Sequence, residues 1–261
     1  MPGHTSERTK IAGCEIEVLR GGSGPAMVFL HGAGGAHAWA PYMERLAENY
    51  SLYVPSHPGF GRSDTPAWLD GMGDLAYFYL EYLERLDAES VHIVGNSLGG
   101  WLALELAVRS SAKISSLTLV CAAGIHVAGV PKGDIFLWDA DERVRNTFYD
   151  QKLAEARLAQ VPTPEDADIA LKNHFTTAKL SWNPRFYNPE LQKWLHRVRV
   201  PTLVLWGDSD RIFPLPYGEE MHRLIPGSKL AIVPQCGHLP HQEKLDEFMA
   251  EVTAFTNGAA S

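Results

Sequence analysis

The six residues G-N-S-L-G-G at positions 95–100 constrain this chain more than any other segment. An apolar run at residues 91–94 precedes them, and a run with helical spacing follows at residues 101–108. A strand, a sharp turn with serine at its tip and then a helix form a nucleophile elbow, whose strained turn exposes the serine hydroxyl above a sheet. Glycines suit so tight a turn, because a β-carbon there would collide with neighbouring backbone. The pattern predicts that Ser97 is a nucleophile.

Apolar strand-like runs alternate with amphipathic helical runs along most of the chain. Such alternation predicts a mostly parallel sheet with helices on both faces. The strand-like runs lie at residues 16–18, 27–30, 52–54, 91–94, 117–121, 202–206 and 230–233, and helical spacing is found at residues 39–48, 74–86, 101–108, 217–224 and 243–255.

The alternation stops between about residues 123 and 200, where the sequence is helical and unusually aromatic. We therefore predict that residues 123–198 form a helical cap, inserted into a core made of residues 1–122 and 199–261. Most aromatic side chains of this segment are expected to pack the cap onto the core, and the remainder to line a pocket.

Composition narrows the class of protein. The chain has 261 residues and a formal net charge of −8, which disfavours a basic groove for nucleic acid. Its polar start lacks the apolar core of a secretory signal, and no apolar run approaches the roughly 18 residues of a membrane helix. Its three cysteines are odd in number and far apart, so free thiols are expected rather than disulfides or a zinc site. These features predict a cytoplasmic protein without a membrane span, a nucleic-acid partner or a metal.

Further motifs, in a fixed order, give the chain a resemblance to the α/β-hydrolase superfamily over about residues 11–255. H-G-A-G-G at residues 31–35 follows one strand-like run, G-D-S-D-R-I-F-P at residues 207–214 follows a later one, and C-G-H-L-P at residues 236–240 follows the last. The family places its nucleophile, acid and histidine in this chain order. The resemblance implies an α/β-hydrolase fold, with a mostly parallel sheet of about eight strands, helices on both faces and an inserted helical cap.

The resemblance also implies which side chains would act with the serine. A hydroxyl is a poor nucleophile at neutral pH, so Ser97 needs a base. His238 lies where the family places its histidine, in the loop after the last strand-like run. The acid that orients the histidine is expected at Asp210, the third residue past the glycine of its motif. His241 and Asp208 remain the alternative base and acid.

A tetrahedral intermediate carries a negative oxygen that needs preorganised donors. The resemblance implies the backbone amides of Leu98, which begins the elbow helix, and of Ala33 in the H-G-A-G-G loop, with Gly34 as the alternative to Ala33. His31 is expected to hold this loop. The candidate pocket residues come from the loop, the elbow, the cap and the position after the histidine; they are Gly34, Asn96, Phe136, Trp138, Trp182 and Leu239.

Serine at position 97 points to an acyl-enzyme, because the family branches that cleave haloalkanes and epoxides attack with aspartate. Such a reaction needs no metal or organic cofactor. The preferred prediction is a carboxylic ester hydrolase that acts on small, largely apolar esters, with a lactonase as a variant. A non-catalytic ligand-binding protein on the same fold is a further hypothesis, since fold alone does not decide function.

The main alternative is a carbon–carbon bond hydrolase that acts on meta-cleavage products of aromatic catabolism. Such enzymes often carry G-N-S-M-G-G at the elbow, which is close to the present motif, but tend to have tryptophan where Leu239 stands. They hold a substrate carboxylate with an arginine of the cap, for which Arg143, Arg145 and Arg185 are candidates. Separately, the position of Cys236 beside the histidine suggests that modification of this thiol disturbs the site.

Overall fold

The computed structural model of this chain describes residues 3–259. Its strands are β1 (His4–Ile11), β2 (Cys14–Gly21), β3 (Ala26–Leu30), β4 (Ser51–Pro55), β5 (Val91–Asn96), β6 (Ile114–Val120), β7 (Thr202–Gly207) and β8 (Lys229–Val233). They form one eight-stranded sheet of order β1-β2-β4-β3-β5-β6-β7-β8. Strand β2 is antiparallel to β1 and β4, and the pairs from β4 to β8 are parallel. The predicted mostly parallel sheet is confirmed.

Helices cover both faces of the sheet, as predicted. They are α1 (Pro41–Ala47), α2 (Met72–Arg85), α3 (Leu98–Arg109), α4 (Ala140–Thr147), α5 (Gln151–Leu158), α6 (Pro164–Ser181), α7 (Leu191–Trp194), α8 (Pro216–Leu224), α9 (Pro240–Glu243) and α10 (Leu245–Ala259), with a 3-10 turn at Leu195–Arg197. Successive side chains of a strand point to opposite faces. Accordingly, Val28 and Leu30 of β3 join a core cluster with α2, α3 and α8, whereas Met27 and Phe29 join a second cluster with α1 and α10.

The segment between β6 and β7 holds helices α4 to α7, in the region where the sequence predicts a cap. The division of the chain into a core and a cap at residues 123–198 stays a prediction. No helix among residues 3–259 is both long and apolar enough to cross a membrane.

Two local features differ from the sequence-based expectation. Strand β1 is not predicted, because its side chains are polar and mostly exposed. It pairs with β2 through a two-residue turn at Ala12 and Gly13, whose φ angles of 49° and 76° match the left-handed turn that favours such hairpins. In addition, the predicted final helix at residues 243–255 is divided into α9 and α10, because Lys244 between them has an extended φ of −134°.

Candidate active site

The predicted elbow lies at the junction of β5 and α3. Ser97 connects the two elements with φ 54° and ψ −114°, a backbone conformation that is costly for a residue with a side chain. A β-carbon at Gly95 would lie 2.5 Å from the carbonyl oxygen of Gly99, and one at Gly99 would lie 2.0 Å from the carbonyl oxygen of Leu30. The turn is therefore tight enough to require both glycines. The Ser97 backbone N–H donates to the Val120 carbonyl at the end of β6, which holds the strained conformation in place.

Asp210 and His238 meet at the same edge of the sheet, in the loops after β7 and β8. The Nδ1 atom of His238 donates to Oδ2 of Asp210 at 2.8 Å, and both side chains are buried. The other carboxylate oxygen, Oδ1, accepts from the backbone N–H groups of Ile212 and Phe213 at 2.8 and 3.1 Å. Because the carboxylate fixes the proton on Nδ1, a neutral His238 presents an unprotonated Nε2, which is the form of imidazole that a general base needs.

Asn96 links the elbow to the histidine loop. Its side-chain amide donates to the Val120 carbonyl at 3.1 Å and lies 3.5 Å from the His238 carbonyl. Within residues 3–259, no hydrogen bond joins Ser97 Oγ to His238 Nε2. Such bonds are often long in substrate-free enzymes and tighten when substrate binds. The amide of Asn96, predicted as a pocket residue, is thus engaged with backbone beside the elbow.

The alternative acid and base have other partners. Asp208 accepts from the Ser209 hydroxyl at 2.7 Å and from the Cys236 backbone N–H at 3.4 Å, so its carboxylate stabilises its own loop. His241 is buried among aromatic rings. Burial, together with the neighbouring His238, lowers the pKa of His241 to about 3. The acid–histidine hydrogen bond of this site is the one between Asp210 and His238.

One predicted oxyanion donor lies in the elbow itself, and the other lies in the turn beside it. Leu98 is the first residue of α3, so its N–H is one of the unpaired donors at a helix start. The other predicted donor, Ala33, lies in a turn closed by a hydrogen bond of 3.0 Å from the Gly35 N–H to the Gly32 carbonyl. This turn passes beside the serine, because a β-carbon at Gly32 would lie 3.2 Å from the Ser97 Cβ.

His31 anchors the start of this turn through a pair of buried histidines. Its Nε2 accepts from the His57 backbone N–H at 3.0 Å, and its Nδ1 donates to the Gly32 carbonyl at 2.7 Å. In return, Nε2 of His57 donates to the His31 carbonyl at 3.0 Å, and Nδ1 of His57 accepts from the Tyr79 hydroxyl at 2.5 Å. Burial lowers the pKa of His31 to about 4 and the pKa of His57 well below its ordinary value. Both rings are therefore neutral, with each nitrogen matched to its partner.

A series of aromatic contacts runs from the segment between β6 and β7 to the histidine. Phe136 stacks on Phe186 with ring centroids 5.2 Å apart. The ring centroids of Phe186 and Phe213 lie 6.2 Å apart, and those of Phe213 and His238 lie 5.7 Å apart. Phe136, predicted as a pocket residue, is thus connected to His238 through two intervening rings.

The remaining predicted pocket residues are more dispersed. Trp182 is 56% exposed and lies under the guanidinium of Arg185. Trp138 packs against Gly133, where a β-carbon would lie 2.2 Å from the indole. Gly34 is exposed in the turn that carries Ala33, and Leu239 is half-buried at the start of α9.

One group of three potential metal ligands is found among residues 3–259. The Cys121 Sγ, a carboxylate oxygen of Asp210 and a ring nitrogen of His238 lie within 4.8 Å of one another. Burial raises the pKa of the Cys121 thiol well above its usual range. Both Asp210 oxygens already accept hydrogen bonds, and one of them accepts from His238. This donor set is therefore committed to internal hydrogen bonding and suits a metal poorly.

Sequence reasoning missed one polar residue that contacts the site. Asn173, buried in α6, donates from Nδ2 to the Gly34 carbonyl at 2.9 Å and accepts at Oδ1 from the Gly61 N–H at 2.8 Å. No motif marks an asparagine inside a helix. The sequence signal that could have indicated Asn173 is the recurrence of polar residues along one face of the helix. The same pattern is also expected of a helix that is exposed to solvent.

Comparison with known proteins agrees with this geometry. A profile of the α/β-hydrolase fold family matches residues 25–245. The chain is 29% identical over 280 residues to a 2-hydroxy-6-oxo-6-phenylhexa-2,4-dienoate hydrolase of Comamonas testosteroni, covering 94% of each chain. It is 28% identical over 244 residues to Lipase 1 of Psychrobacter immobilis, covering 89% of this chain and 77% of the lipase. The solved structure of a membrane phospholipase A, described as a bacterial virulence factor, is similar in fold, with a TM-score of 0.82 at 24% identity. The match covers 99% of this chain and 87% of that chain. The chain belongs to the α/β-hydrolase fold family.

Proposed function

We propose that this protein is a serine hydrolase that works through an acyl-enzyme, with Ser97 as nucleophile, His238 as base and Asp210 as the orienting acid. The observation that supports it best is the strained Ser97 backbone at the junction of β5 and α3, beside a buried His238–Asp210 hydrogen bond of 2.8 Å. Strained backbone persists where surrounding structure enforces it, and it concentrates at functional sites.

The reaction proceeds in two halves. Ser97 Oγ attacks the substrate carbonyl carbon while Nε2 of His238 takes the hydroxyl proton, and the carbonyl electron pair moves onto oxygen. The amides of Leu98 and Ala33 donate to this negative oxygen. The intermediate collapses as His238 protonates the leaving group, which leaves an ester on Ser97. A water molecule, deprotonated by His238, then attacks that ester and releases the acid and the free serine.

The preferred substrate is a small, largely apolar carboxylic ester. The supporting observation is that the surroundings of the base are apolar, since the buried rings of Phe213 and Phe186 and the half-buried ring of Phe136 form a run that ends at His238. An ester needs little recognition beyond apolar surroundings and an activated carbonyl. The similarity to Lipase 1 of Psychrobacter immobilis supports the same substrate class.

The decisive variant is Ser97→Ala, assayed with a short-chain p-nitrophenyl ester. We expect kcat to fall by about 10⁴-fold or more, because the nucleophile and its base act as one unit. The melting temperature should be unchanged or slightly raised, since the substitution leaves the turn intact. Ser23→Ala, at an exposed serine, is the matched control and should behave as wild type. Ester hydrolysis by Ser97→Ala at the wild-type rate would overturn the assignment.

A carbon–carbon bond hydrolase is the second candidate, and the similarity to the dienoate hydrolase of Comamonas testosteroni favours it. Two of the arginines considered for a substrate carboxylate are already paired. The Nη1 atom of Arg185 donates to both carboxylate oxygens of Asp134 at 2.7 Å, and Arg145 pairs with Asp141 at 2.7 Å. Arg143 makes no ion pair among residues 3–259, and it lies in α4 one turn before Thr147.

Helix α4 lies close to the histidine loop, because the carbonyl of Thr147 accepts from the His238 backbone N–H at 2.8 Å. Arg143 is therefore the arginine to test for carboxylate recognition. If the second candidate is right, the rate on a dienoic ring-cleavage product will greatly exceed the ester rate. Arg143→Gln should then raise KM for that product, whereas the control Arg145→Gln should not. Ester turnover that exceeds turnover of the ring-cleavage product would exclude this candidate.

A further inference from the structure

Helix α6 is attached to two core loops by polar side chains on one of its faces. The Lys172 ammonium donates to the Gly61 carbonyl at 3.2 Å, and the Thr176 hydroxyl donates to the Gly59 carbonyl at 2.6 Å. Exposed ion pairs add to this attachment at both ends of the helix; they are Arg62–Glu165 and Lys179–Asp70. Exposed pairs contribute little to stability, about 0–1 kcal/mol each. The buried side chains therefore make the specific contacts of this face.

Asn173 is the residue of this face that reaches the turn beside the nucleophile. It is 3% exposed, and its Nδ2 donates to the Gly34 carbonyl at 2.9 Å. The turn runs directly against the amide, because a β-carbon at Gly35 would lie 2.5 Å from Nδ2. The glycines of this turn leave its backbone few steric restrictions. Contacts from outside the turn therefore help to hold it in one geometry.

The peptide group between Gly34 and Gly35 is held from both sides. Its N–H donates to the Gly32 carbonyl at 3.0 Å, which closes the turn. Its carbonyl oxygen accepts from Nδ2 of Asn173, which lies on the opposite side. A rotation of this peptide would break both bonds and would move Ala33, which lies inside the turn. The amide of Asn173 thus restricts the part of the chain that carries the proposed oxyanion donor.

We propose that Asn173 is a positioning residue of the oxyanion hole, which it stabilises from helix α6 without touching substrate. The inference rests on the proposed serine hydrolase function. An oxyanion donor is effective only if it already points at the developing charge, so a turn released by loss of the amide would stabilise the transition state less. Substrate binding in the ground state depends far less on this geometry.

The test compares Asn173→Asp with Thr176→Val. Aspartate keeps the size of asparagine and an acceptor for the Gly61 N–H, but it loses the N–H that binds the Gly34 carbonyl. Thr176→Val removes a buried hydrogen bond from the same helix to Gly59, and it leaves the turn untouched. Both variants lose one buried contact of α6, so a purely structural role predicts similar effects on activity and on melting temperature.

For Asn173→Asp we expect kcat on a p-nitrophenyl ester to fall by about 10- to 100-fold, because a displacement of about 1 Å in a catalytic group has effects of this size. KM should change little. The affinity for a trifluoromethyl ketone, which forms a tetrahedral oxyanion with the serine, should fall by the same factor as kcat, whereas the affinity for the carboxylate product should not. Thr176→Val should keep the wild-type kcat and ketone affinity.

Wild-type kcat and ketone affinity in Asn173→Asp would overturn the proposal, and so would equal losses in both variants. If Asn173→Asp does not fold, Asn173→Ser replaces it under the same criteria. A failure of the underlying function is distinct from these outcomes. In that case the wild-type protein would neither hydrolyse esters or ring-cleavage products nor be labelled at Ser97 by a fluorophosphonate.

Discussion

His31 and His57 are joined by two reciprocal hydrogen bonds, in which the imidazole of each residue binds the backbone of the other. The Nε2 of His31 is an acceptor in this arrangement, so a proton on it would meet the His57 backbone N–H. Their rings also stack, with centroids 3.7 Å apart, so two positive charges would repel strongly. The pair that anchors the H-G-A-G-G turn therefore requires both rings to be neutral.

This pair predicts a loss of stability in acid. The pKa of His31 lies at about 4, below its ordinary value of 6.5, and the pKa of His57 is also lowered. The unfolded chain therefore binds these protons more tightly than the folded one. Stability should be fully present above about pH 6.5 and should fall as the pH drops toward 4, with a loss on the order of 1–2 kcal/mol from His31 at pH 5.

Urea unfolding at pH 7 and pH 5 measures this loss. The variant His57→Gln should be less stable at pH 7 but should lose less on acidification, because one of the two titrating rings is absent. His126→Gln, at an exposed histidine, serves as control and should keep the wild-type pH dependence. Equal acid sensitivity in His57→Gln and wild type would contradict the role given to the pair.

Two nearby aspartates allow the orienting acid to be tested. Asp210→Asn should lower kcat by about 10⁴-fold, because an amide no longer fixes the proton on Nδ1 of His238. Asp208→Asn should change kcat little, since that carboxylate binds the Ser209 hydroxyl and the loop backbone. Steady-state kinetics on one ester substrate measures both variants. A larger loss in Asp208→Asn than in Asp210→Asn would reverse the assignment of the acid.

Two glycine-to-alanine substitutions should have opposite effects on stability. In Gly99→Ala, the new methyl group would lie 2.0 Å from the Leu30 carbonyl oxygen, so β3 and α3 must separate. We expect a loss of at least about 3 kcal/mol. In Gly73→Ala, near the start of α2, the nearest atom is 3.8 Å away, and the gain in helix propensity should be about 0.5 kcal/mol. Chemical denaturation measures both, and a folded Gly99→Ala of wild-type stability would refute the close contact.

The thiols should be unreactive in the folded protein, contrary to the hypothesis of a modifiable Cys236. Its side chain is fully buried, and burial raises the pKa of this thiol above its ordinary value. The thiols of Cys14 and Cys121 are also buried and have raised pKa values. Ellman's reagent should therefore label the three cysteines only after unfolding in urea, and activity should be unaffected. Rapid labelling of Cys236 with loss of activity would support the original hypothesis.

The fold and the order of the candidate site residues follow from sequence where the backbone has few choices. Positions 95 and 99 need glycine, because a β-carbon at Gly95 would meet the Gly99 backbone of α3 and one at Gly99 would meet the Leu30 carbonyl of β3, and that requirement is visible as a motif. Asp210 and His238 lie in the loops after the parallel strands β7 and β8, so the carboxyl ends of these two neighbouring strands bring them to one edge. In each case, the structural requirement falls on residues that are close in the sequence, so a short motif indicates it.

The parts that sequence reasoning missed depend on distant partners. Strand β1 is polar and forms because β2 offers an unpaired edge, so its own side chains carry no periodic signal. Asn173 is distinguished only by what lies opposite it, namely the carbonyl of Gly34, which is 139 positions away in the sequence. The positions of Trp138 and Trp182 likewise depend on how the neighbouring segments pack, which the aromatic composition of their segment does not reveal.

The attachment of α6 to the turn beside Ser97 has a consequence for protein engineering. A chimera that exchanges the segment between β6 and β7 for that of a related hydrolase would replace helix α6. A transplanted segment without a side-chain amide at position 173 would leave the Gly34 carbonyl without its donor. Selectivity and turnover are therefore expected to change together in such chimeras, and libraries that keep Asn173 fixed should retain more active members.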